Sequence, residues 1–119
     1  MLKIGVLGAG HLGKIHIKCI KELPEYKLVG FYDPDDHIAT ETAQKLNVKK
    51  FGSMEDLIDA VDVVDIVTPT LSHYTCASQA IKRTKHVFIE KPITNTIDEA
   101  KSLMSLSREA DVKVQVGHV

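Results

Sequence analysis

Residues 4–13 read IGVLGAGHLG, a short apolar run followed by three glycines at the spacing G-x-G-x-x-G. The run predicts a buried strand, and the apolar residues that recur at helical spacing up to Pro24 predict a helix after it. In this context Gly8 permits a tight turn, Gly10 lets the backbone approach a pyrophosphate, and Gly13 lets the helix pack closely. The sequence therefore predicts a dinucleotide-binding turn, in which the phosphates face the start of the helix. Its predicted cofactor-binding residues are Gly8, Ala9, Gly10, His11, Leu12 and Gly13.

An acidic residue follows the second apolar run at the spacing of a dinucleotide site. Asp33 lies 20 residues beyond Gly13. A carboxylate at this place accepts hydrogen bonds from the ribose hydroxyls of an adenosine, and it repels a 2′-phosphate. No Arg or Lys stands beside Asp33 to offset that repulsion. We therefore expect NAD as the cofactor, in preference to NADP.

Apolar runs and amphipathic stretches alternate along the rest of the chain. Further strands are predicted at residues 27–32, 48–51, 63–67, 86–90 and 112–116, with helices between most of them. Ser53 and Thr96 stand where each can cap a helix. Such alternation is typical of a doubly wound parallel sheet, so we expect a Rossmann-type α/β fold of about six strands with helices on both faces. The apolar residues that recur at helical spacing in the first helix are Leu12, Ile15, Cys19, Ile20 and Leu23.

The composition is that of one ordinary globular domain. The chain has 119 residues, 44% of them hydrophobic and 26% charged, which predicts a single domain over residues 1–119. Fifteen Lys and Arg against sixteen Asp and Glu argue against a nucleic-acid partner or an anionic membrane surface. No apolar run reaches the ~20 residues of a membrane span. Because Cys19 and Cys76 also lack metal-ligand spacing, we expect a cytoplasmic protein with reduced thiols and no metal site.

Two unusual segments follow the strands predicted at 63–67 and 86–90. The first is Thr68-Pro69-Thr70-Leu71-Ser72-His73, and the second is Glu90-Lys91-Pro92. Each proline removes a backbone donor and fixes the end of its strand. Because ligands bind at the carboxyl ends of parallel strands, both segments are expected at the functional site.

Together these motifs resemble the glucose–fructose oxidoreductase and inositol dehydrogenase family, Gfo/Idh/MocA, over the whole chain. Glu90-Lys91-Pro92, after a T-P-x-x-x-H segment, is the most specific of them. The resemblance implies that Lys91 is a catalytic residue that also contacts the cofactor, and that the Lys91–Pro92 peptide is cis. A lysine ammonium there would hydrogen-bond the hydroxyl being oxidised, stabilise the developing alkoxide and assist removal of its proton.

The resemblance also implies cofactor contacts outside the glycine turn. Thr68, Pro69 and His73 are expected to contact the cofactor, although a structural hydrogen bond at the start of a helix is an equal alternative for His73. Glu90 is expected to orient its loop or to contact the cofactor. The remaining histidines, His16, His37 and His86, are expected to lie on the surface.

Members of this family carry a second, mixed α/β domain that supplies most of the sugar pocket and usually the oligomer interface. The chain is therefore expected to be an isolated NAD(P)-binding domain that lacks this C-terminal domain and has no useful turnover by itself. The parent is expected to be an NAD-dependent dehydrogenase that can form homo-oligomers and that moves a hydride between NAD and a secondary alcohol of a sugar, polyol or sugar nucleotide. The tail Gly117-His118-Val119 is similar to a run in sugar-nucleotide 3-dehydrogenases and hints at a UDP-N-acetylhexosamine substrate.

Other functions are compatible with the same fold. A non-catalytic module that binds or senses NAD(H) would share the glycine turn and Asp33. A dehydrogenase of the homoserine or dihydrodipicolinate type would share them too, but Glu90-Lys91-Pro92 argues against that type. A CoA-binding or methyltransferase fold fits less well, because the glycine spacing and Asp33 favour a dinucleotide.

Overall fold

A computed structural model describes residues 1–117 as alternating strands and helices. Strand β1 (Leu2–Leu7), helix α1 (His11–Lys21) and strand β2 (Tyr26–Tyr32) come first. Helix α2 (Asp36–Leu46), helix α3 (Met54–Ala60) and strand β3 (Val63–Ile66) follow. A 3-10 turn (Thr70–Ser72) leads into helix α4 (His73–Lys82), strand β4 (His86–Ile89), helix α5 (Ile97–Ala110) and strand β5 (Val114–Val116). The predicted motifs thus lie on a regular α/β chain, except for His118 and Val119, which lie outside the described residues.

The sheet is parallel, with its strands in the order β2-β1-β3-β4-β5. Strand β1 lies between β2 and β3, and Val6 pairs with Phe31 on one side and Asp65 on the other. The strand order therefore reverses at β1. In open parallel sheets such a reversal leaves a crevice outside the carboxyl ends of the strands, where ligands bind. The predicted Rossmann-type parallel sheet is confirmed.

Helices cover both faces of the sheet, as predicted. Helices α1 and α2 pack on one face, where Ile17 lies in the same buried cluster as Ile4 and Val6 of β1. Helices α3, α4 and α5 pack on the other face, around Ile66 and Ile89. Successive side chains of a strand point to opposite faces, so strands covered on both sides need apolar residues at nearly every position. This explains the continuous Val and Ile runs in the sequence.

The segment 48–51 does not form the separate strand that its sequence predicts. One isolated bridge, from Phe31 to Lys50, joins it to β2. Helix α2 ends in the left-handed conformation at Asn47 (φ 51°), and Ser53 already caps α3 by accepting a hydrogen bond from Asp56 N at 3.1 Å. Too few residues remain between these two helix ends to extend a ladder. Within residues 1–117 the sheet consequently has five strands.

Helix α1 leaves several of its apolar residues exposed. Leu12 and Ile15 are 47% and 40% exposed, and Cys19 is exposed as well. The buried face consists of Gly13, His16, Ile17 and Ile20. These positions keep the helical spacing i, i+3, i+4, i+7, but a histidine replaces an apolar residue. The prediction of a surface position for His16 is therefore wrong.

The structure of residues 1–117 contains no helix with the length and apolar character needed to cross a membrane.

Candidate functional site

A cavity of about 750 Å³ opens at the carboxyl ends of β1, β2 and β3. This volume falls within the range of roughly 300–1,000 Å³ that is usual for small-molecule sites. Seven predicted site residues line it: Gly8, Gly10, His11, Leu12, Asp33, Thr68 and Pro69. Its other lining residues are Leu7, Tyr32, Pro34, Ser53, Met54, Glu55, Val67, Ser72 and Cys76. The wall is therefore mainly apolar, and none of the lining residues found in the described chain is Lys or Arg.

The glycine turn has the backbone geometry that its sequence predicts. Gly8 has φ +106°, a conformation that side chains disfavour, and its N–H donates to the Tyr32 carbonyl at 2.9 Å. A Cβ atom at Gly13 would lie 2.0 Å from the Gly8 carbonyl oxygen, so helix α1 contacts the turn itself. The absence of side chains at these two positions lets the chain reverse from β1 directly into α1.

Gly10 differs from the other two glycines because it borders open space. A Cβ atom built at Gly10 meets nothing within 4 Å, and Gly10 is the N-cap of α1. The first turn of α1 contains no acidic residue to compete for the free N–H groups at this helix end. A negatively charged pyrophosphate fits this surface, which presents backbone donors and the positive end of the helix dipole.

Asp33 joins the glycine turn to the end of β2. Its Oδ2 accepts a hydrogen bond from Ala9 N at 2.8 Å, and its Oδ1 accepts one from Asp35 N at 2.8 Å. Ala9 is fully buried, so its part in the site is this N–H group. Each carboxylate oxygen can accept a further hydrogen bond. Asp33 can therefore hold the turn and still bind ribose hydroxyls in the cavity.

His73 connects the two segments that follow β3 and β4. Its ring is 1% exposed, with Nε2 at 2.8 Å from the Thr68 carbonyl oxygen and Nδ1 at 2.9 Å from the Pro92 carbonyl oxygen. The ring is not part of the cavity wall. The sequence left two roles open for His73, contact with the cofactor or a structural hydrogen bond. Its contacts within the described chain are those of a structural residue.

Cys76 was not singled out by its sequence pattern, although it lines the cavity one helical turn beyond His73. Its side chain is buried, and burial raises the pKa of the Cys76 thiol because it penalises the thiolate. The thiol therefore stays protonated and gives the cavity a neutral, weakly polar wall. Only the fold brings this residue to the site, since a lone cysteine inside a helical pattern carries no signal.

The Glu90-Lys91-Pro92 turn lies directly after β4. The Lys91–Pro92 peptide is cis, as expected from the resemblance. Lys91 is exposed, whereas Glu90 is only 9% exposed. Neither residue lines the cavity, but His73 joins this turn to Thr68 on the cavity rim. The turn is thus fixed beside the cavity, and Lys91 is exposed there.

His16, Asp65 and Glu90 form a cluster inside the protein, called the buried trio below. His16 Nδ1 lies 2.7 Å from Asp65 Oδ2, and His16 Nε2 lies 2.7 Å from Glu90 Oε1. The hydrogen bond with Asp65 raises the pKa of His16, and loss of water raises the pKa of the Asp65 carboxyl. The trio links α1, β3 and the turn after β4. No group of three or more metal-ligating side chains in the described residues is arranged as a metal site.

The other two histidines have ordinary positions. The His37 side chain is 88% exposed and lies 3.7 Å from Glu41 on the same helix, as predicted for a surface residue. His86 is half-buried at the start of β4, where its Nδ1 accepts a hydrogen bond from Lys113 N at 3.0 Å.

The sequence of residues 2–118 matches the profile of a known protein family, Gfo/Idh/MocA, described as an oxidoreductase family with an NAD-binding Rossmann fold. The chain belongs to this family. The match covers nearly all of this chain, including the glycine turn, Asp33 and the Glu90-Lys91-Pro92 turn. It agrees with the parallel sheet and with the position of the cavity at the strand reversal.

Among its relatives is UDP-N-acetylglucosamine 3-dehydrogenase from Acidithiobacillus ferrooxidans. The two are 35% identical over 118 residues, which are 99% of this chain and 37% of the relative. A solved structure of that enzyme superposes with a TM-score of 0.92 at 34% identity, covering 98% of this chain and 38% of the other. The scyllo-inositol 2-dehydrogenase (NAD(+)) of Bacillus subtilis is 36% identical over 98% of this chain and 35% of its own length.

Relatives of this fold include an NADP complex. Biliverdin reductase from Synechocystis, solved with biliverdin and NADP+, superposes with a TM-score of 0.90 at 26% identity, covering 97% of this chain and 37% of the other. The chain thus spans little more than a third of the length of the relatives it matches. The comparisons establish an NAD(P)-binding Rossmann domain and do not by themselves select one dinucleotide.

Proposed function

We propose that this chain is the NAD-binding part of a longer oxidoreductase that moves a hydride between NAD and a secondary alcohol of a sugar, polyol or sugar nucleotide. The observation that carries the proposal is the cavity at the strand reversal, bounded by the open backbone of Gly10 and by the Asp33 carboxylate. In a dinucleotide site the phosphates bind at the open glycine backbone, and the ribose hydroxyls bind the carboxylate.

The preference for NAD over NADP rests on charge. A 2′-phosphate on the adenosine ribose would meet the Asp33 carboxylate, and no Lys or Arg lines the cavity in the described chain to neutralise it. The ribose 2′-hydroxyl of NAD would instead donate a hydrogen bond to Asp33. We expect NADH to bind and NADPH to bind more weakly.

The catalytic role falls to Lys91. Bound NAD would supply a nicotinamide ring that accepts a hydride. Lys91, exposed at the turn after β4, would hydrogen-bond the substrate hydroxyl, stabilise the alkoxide and help remove its proton. Glu90 is buried under the same turn, and its contacts favour the role of orienting the loop over direct contact with the cofactor.

The substrate class follows from the relatives. Two of them are named for oxidation of a sugar nucleotide and of an inositol, both of which carry secondary alcohols. Because those relatives are about three times as long as this chain, we propose that a further domain supplies most of the substrate pocket. The chain alone would then bind the dinucleotide without useful turnover. The UDP-N-acetylhexosamine substrate stays a prediction, since His118 and Val119 are outside the described residues.

Calorimetric titration of the chain with NADH and with NADPH tests the cofactor. We expect NADH to bind at least tenfold more tightly, and Asp33→Asn to reduce this ratio because it removes the negative charge with little change of shape. Asp36→Asn is the matched control, since Asp36 is exposed and pairs with Lys50 outside the cavity. Its ratio should equal that of the unmodified chain.

The outcomes separate the components of the proposal. Equal binding of NADH and NADPH, unaffected by Asp33→Asn, would contradict the role of Asp33. Absence of binding by both would contradict the site itself, unless the longer protein restores it. NADH binding in a longer protein that oxidises no alcohol would instead favour the sensing module.

A further inference from the structure

None of the three residues of the buried trio lines the cavity. The trio nevertheless connects helix α1, which begins at the glycine turn, with the turn that carries Lys91. His16 lies in the second turn of α1, the helix that begins at the Gly10 N-cap. Glu90 directly precedes Lys91. The exposures of His16, Asp65 and Glu90 are 4%, 0% and 9%. Because an unpaired buried charge is costly, the protonation states of these three side chains must balance one another.

The two contacts of His16 fix the number of protons in the trio. Each is 2.7 Å long, which is a hydrogen-bond distance, so each requires a proton between its two heavy atoms. The ring can be an imidazolium between two carboxylates, or a neutral imidazole between one carboxylate and one carboxylic acid. Either arrangement contains two protons and one net negative charge.

The surroundings decide which group carries the charge. Asp65 is fully buried, and its Oδ1 has no hydrogen-bond partner among residues 1–117. An anionic oxygen in that position would be poorly stabilised, whereas the carbonyl oxygen of a neutral acid tolerates it better. Glu90 Oε2, by contrast, accepts a hydrogen bond from Lys91 N at 3.3 Å. Burial raises the pKa of the Asp65 carboxyl, in the direction of a neutral acid, and the hydrogen bond with Asp65 raises the pKa of His16, in the direction of an imidazolium. The unpartnered Oδ1 of Asp65 favours the neutral acid.

We propose that His16 is a positioning residue for Lys91, acting at the centre of a unit in which Asp65 is the neutral acid and Glu90 carries the negative charge. In this unit the Asp65 hydroxyl donates to His16 Nδ1, and His16 Nε2–H donates to the Glu90 carboxylate. Glu90 then accepts from the backbone N–H of Lys91. The chain of hydrogen bonds fixes the Lys91 turn to the helix whose N-terminus faces the cofactor cavity.

The proton arrangement can be measured on the chain without cofactor or turnover. Nitrogen-15 NMR of the labelled His16 ring should show one N–H nitrogen, Nε2, and one acceptor nitrogen, Nδ1. Asp65→Asn should preserve this pattern, because the asparagine amide donates to Nδ1 as the neutral acid does. Two N–H nitrogens in the unmodified chain would overturn the assignment, since they identify an imidazolium between two carboxylates.

The positioning role rests on the proposed function and is tested by kinetics of the longer oxidoreductase. Asp65→Ala and Glu90→Gln should each lower kcat at least tenfold, while the KM for NAD changes less than threefold. Asp65→Asn should rescue most of the loss seen in Asp65→Ala, because it mimics a neutral acid. Glutamine at position 90 should give no such rescue, because it lacks the charge.

A merely structural cluster would give a different pattern. Amides of matching shape would then be tolerated equally at positions 65 and 90, and that result would overturn the positioning role. If the chain fails to bind NADH but shows the expected ring nitrogens, the proposed function fails and the proton assignment stands. If NADH binds and the ring is an imidazolium, only the inference about the trio fails.

Discussion

At the scale of single residues, the three glycines of the turn do different physical work. Gly8 supplies a positive φ, and Gly13 permits a backbone contact that any Cβ atom would prevent. Gly10 has an extended conformation (φ −71°, ψ −164°) open to every residue, and its surroundings are empty. The need for glycine at position 13 therefore comes from the fold, and we expect the need at position 10 to come from the proposed ligand.

Alanine at each position should separate these two requirements. Gly13→Ala should lower the free energy of unfolding by about 1–3 kcal/mol, as for overpacked sites, because its Cβ meets the Gly8 carbonyl oxygen. Gly10→Ala should change stability by less than about 1 kcal/mol, yet weaken NADH binding at least tenfold. Urea unfolding followed by circular dichroism and calorimetric titration measure the two effects. Equal losses of stability in both variants would contradict this division.

At the scale of secondary-structure elements, the buried trio joins α1, β3 and the turn after β4. His16 is faced by Asp65 from β3 and by Glu90 from the end of β4. The pKa values of His16 and Asp65 are both raised, so the folded trio retains one titratable proton that the unfolded chain releases, and in the proposed arrangement Asp65 carries it. A group of this kind contributes stability below its unfolded pKa and loses that contribution as the pH rises through its folded pKa.

This linkage predicts a pH dependence of stability. The unfolded pKa of His16 is 6.5, so above pH 6.5 the stability of the unmodified chain should fall, by about 1.4 kcal/mol per pH unit for the retained proton. Asp65→Asn should flatten this fall, because asparagine has no proton to lose. Urea unfolding at a series of pH values measures it, with His37→Asn at an exposed histidine as the control. Parallel profiles for the unmodified chain and Asp65→Asn would contradict the retained proton.

At the scale of the whole molecule, the fold brings most of the residues predicted to bind the cofactor to one cavity, but Lys91 is exposed outside that cavity. The cavity wall comes from β1, β2, β3 and their following turns, while Lys91 is exposed beyond it. Rate enhancement depends on holding the reacting groups in position, and Lys91 is exposed and does not line the cavity. Binding of the dinucleotide and catalysis should therefore separate.

Lys91→Met tests this separation. In the chain, NADH affinity should stay within twofold of the unmodified value, because Lys91 does not line the cavity. In the longer oxidoreductase, kcat should fall by about 10²–10⁴, the usual contribution of a positioned acid or base. Lys85→Met, at a residue between α4 and β4 away from this turn, is the control for loss of a lysine charge. An unchanged kcat in the Lys91 variant would remove this residue from the mechanism.

The sequence by itself determined the parallel α/β fold and the glycine turn, because strand runs, turn glycines and helix caps are set by local chemistry. Spacing also indicated Asp33, and the family resemblance indicated Thr68 and Pro69; the structure places all three on one cavity. The sequence pattern led to wrong predictions where contacts with other elements decide the structure. Residues 48–51 have strand-forming side chains but no room to form a ladder, and α1 buries His16 in place of Ile15.

Only the tertiary structure decided the positions of His16, Cys76 and the partners of His73. A histidine on a helix predicts exposure, and it becomes buried here because Asp65 and Glu90, 49 and 74 residues away, provide its hydrogen bonds. Such partners are invisible to periodicity, which records the polarity of one residue and not the groups that will satisfy it. Local chemistry thus specifies the elements and the dinucleotide turn, whereas long-range hydrogen bonds decide which polar side chains the protein can bury.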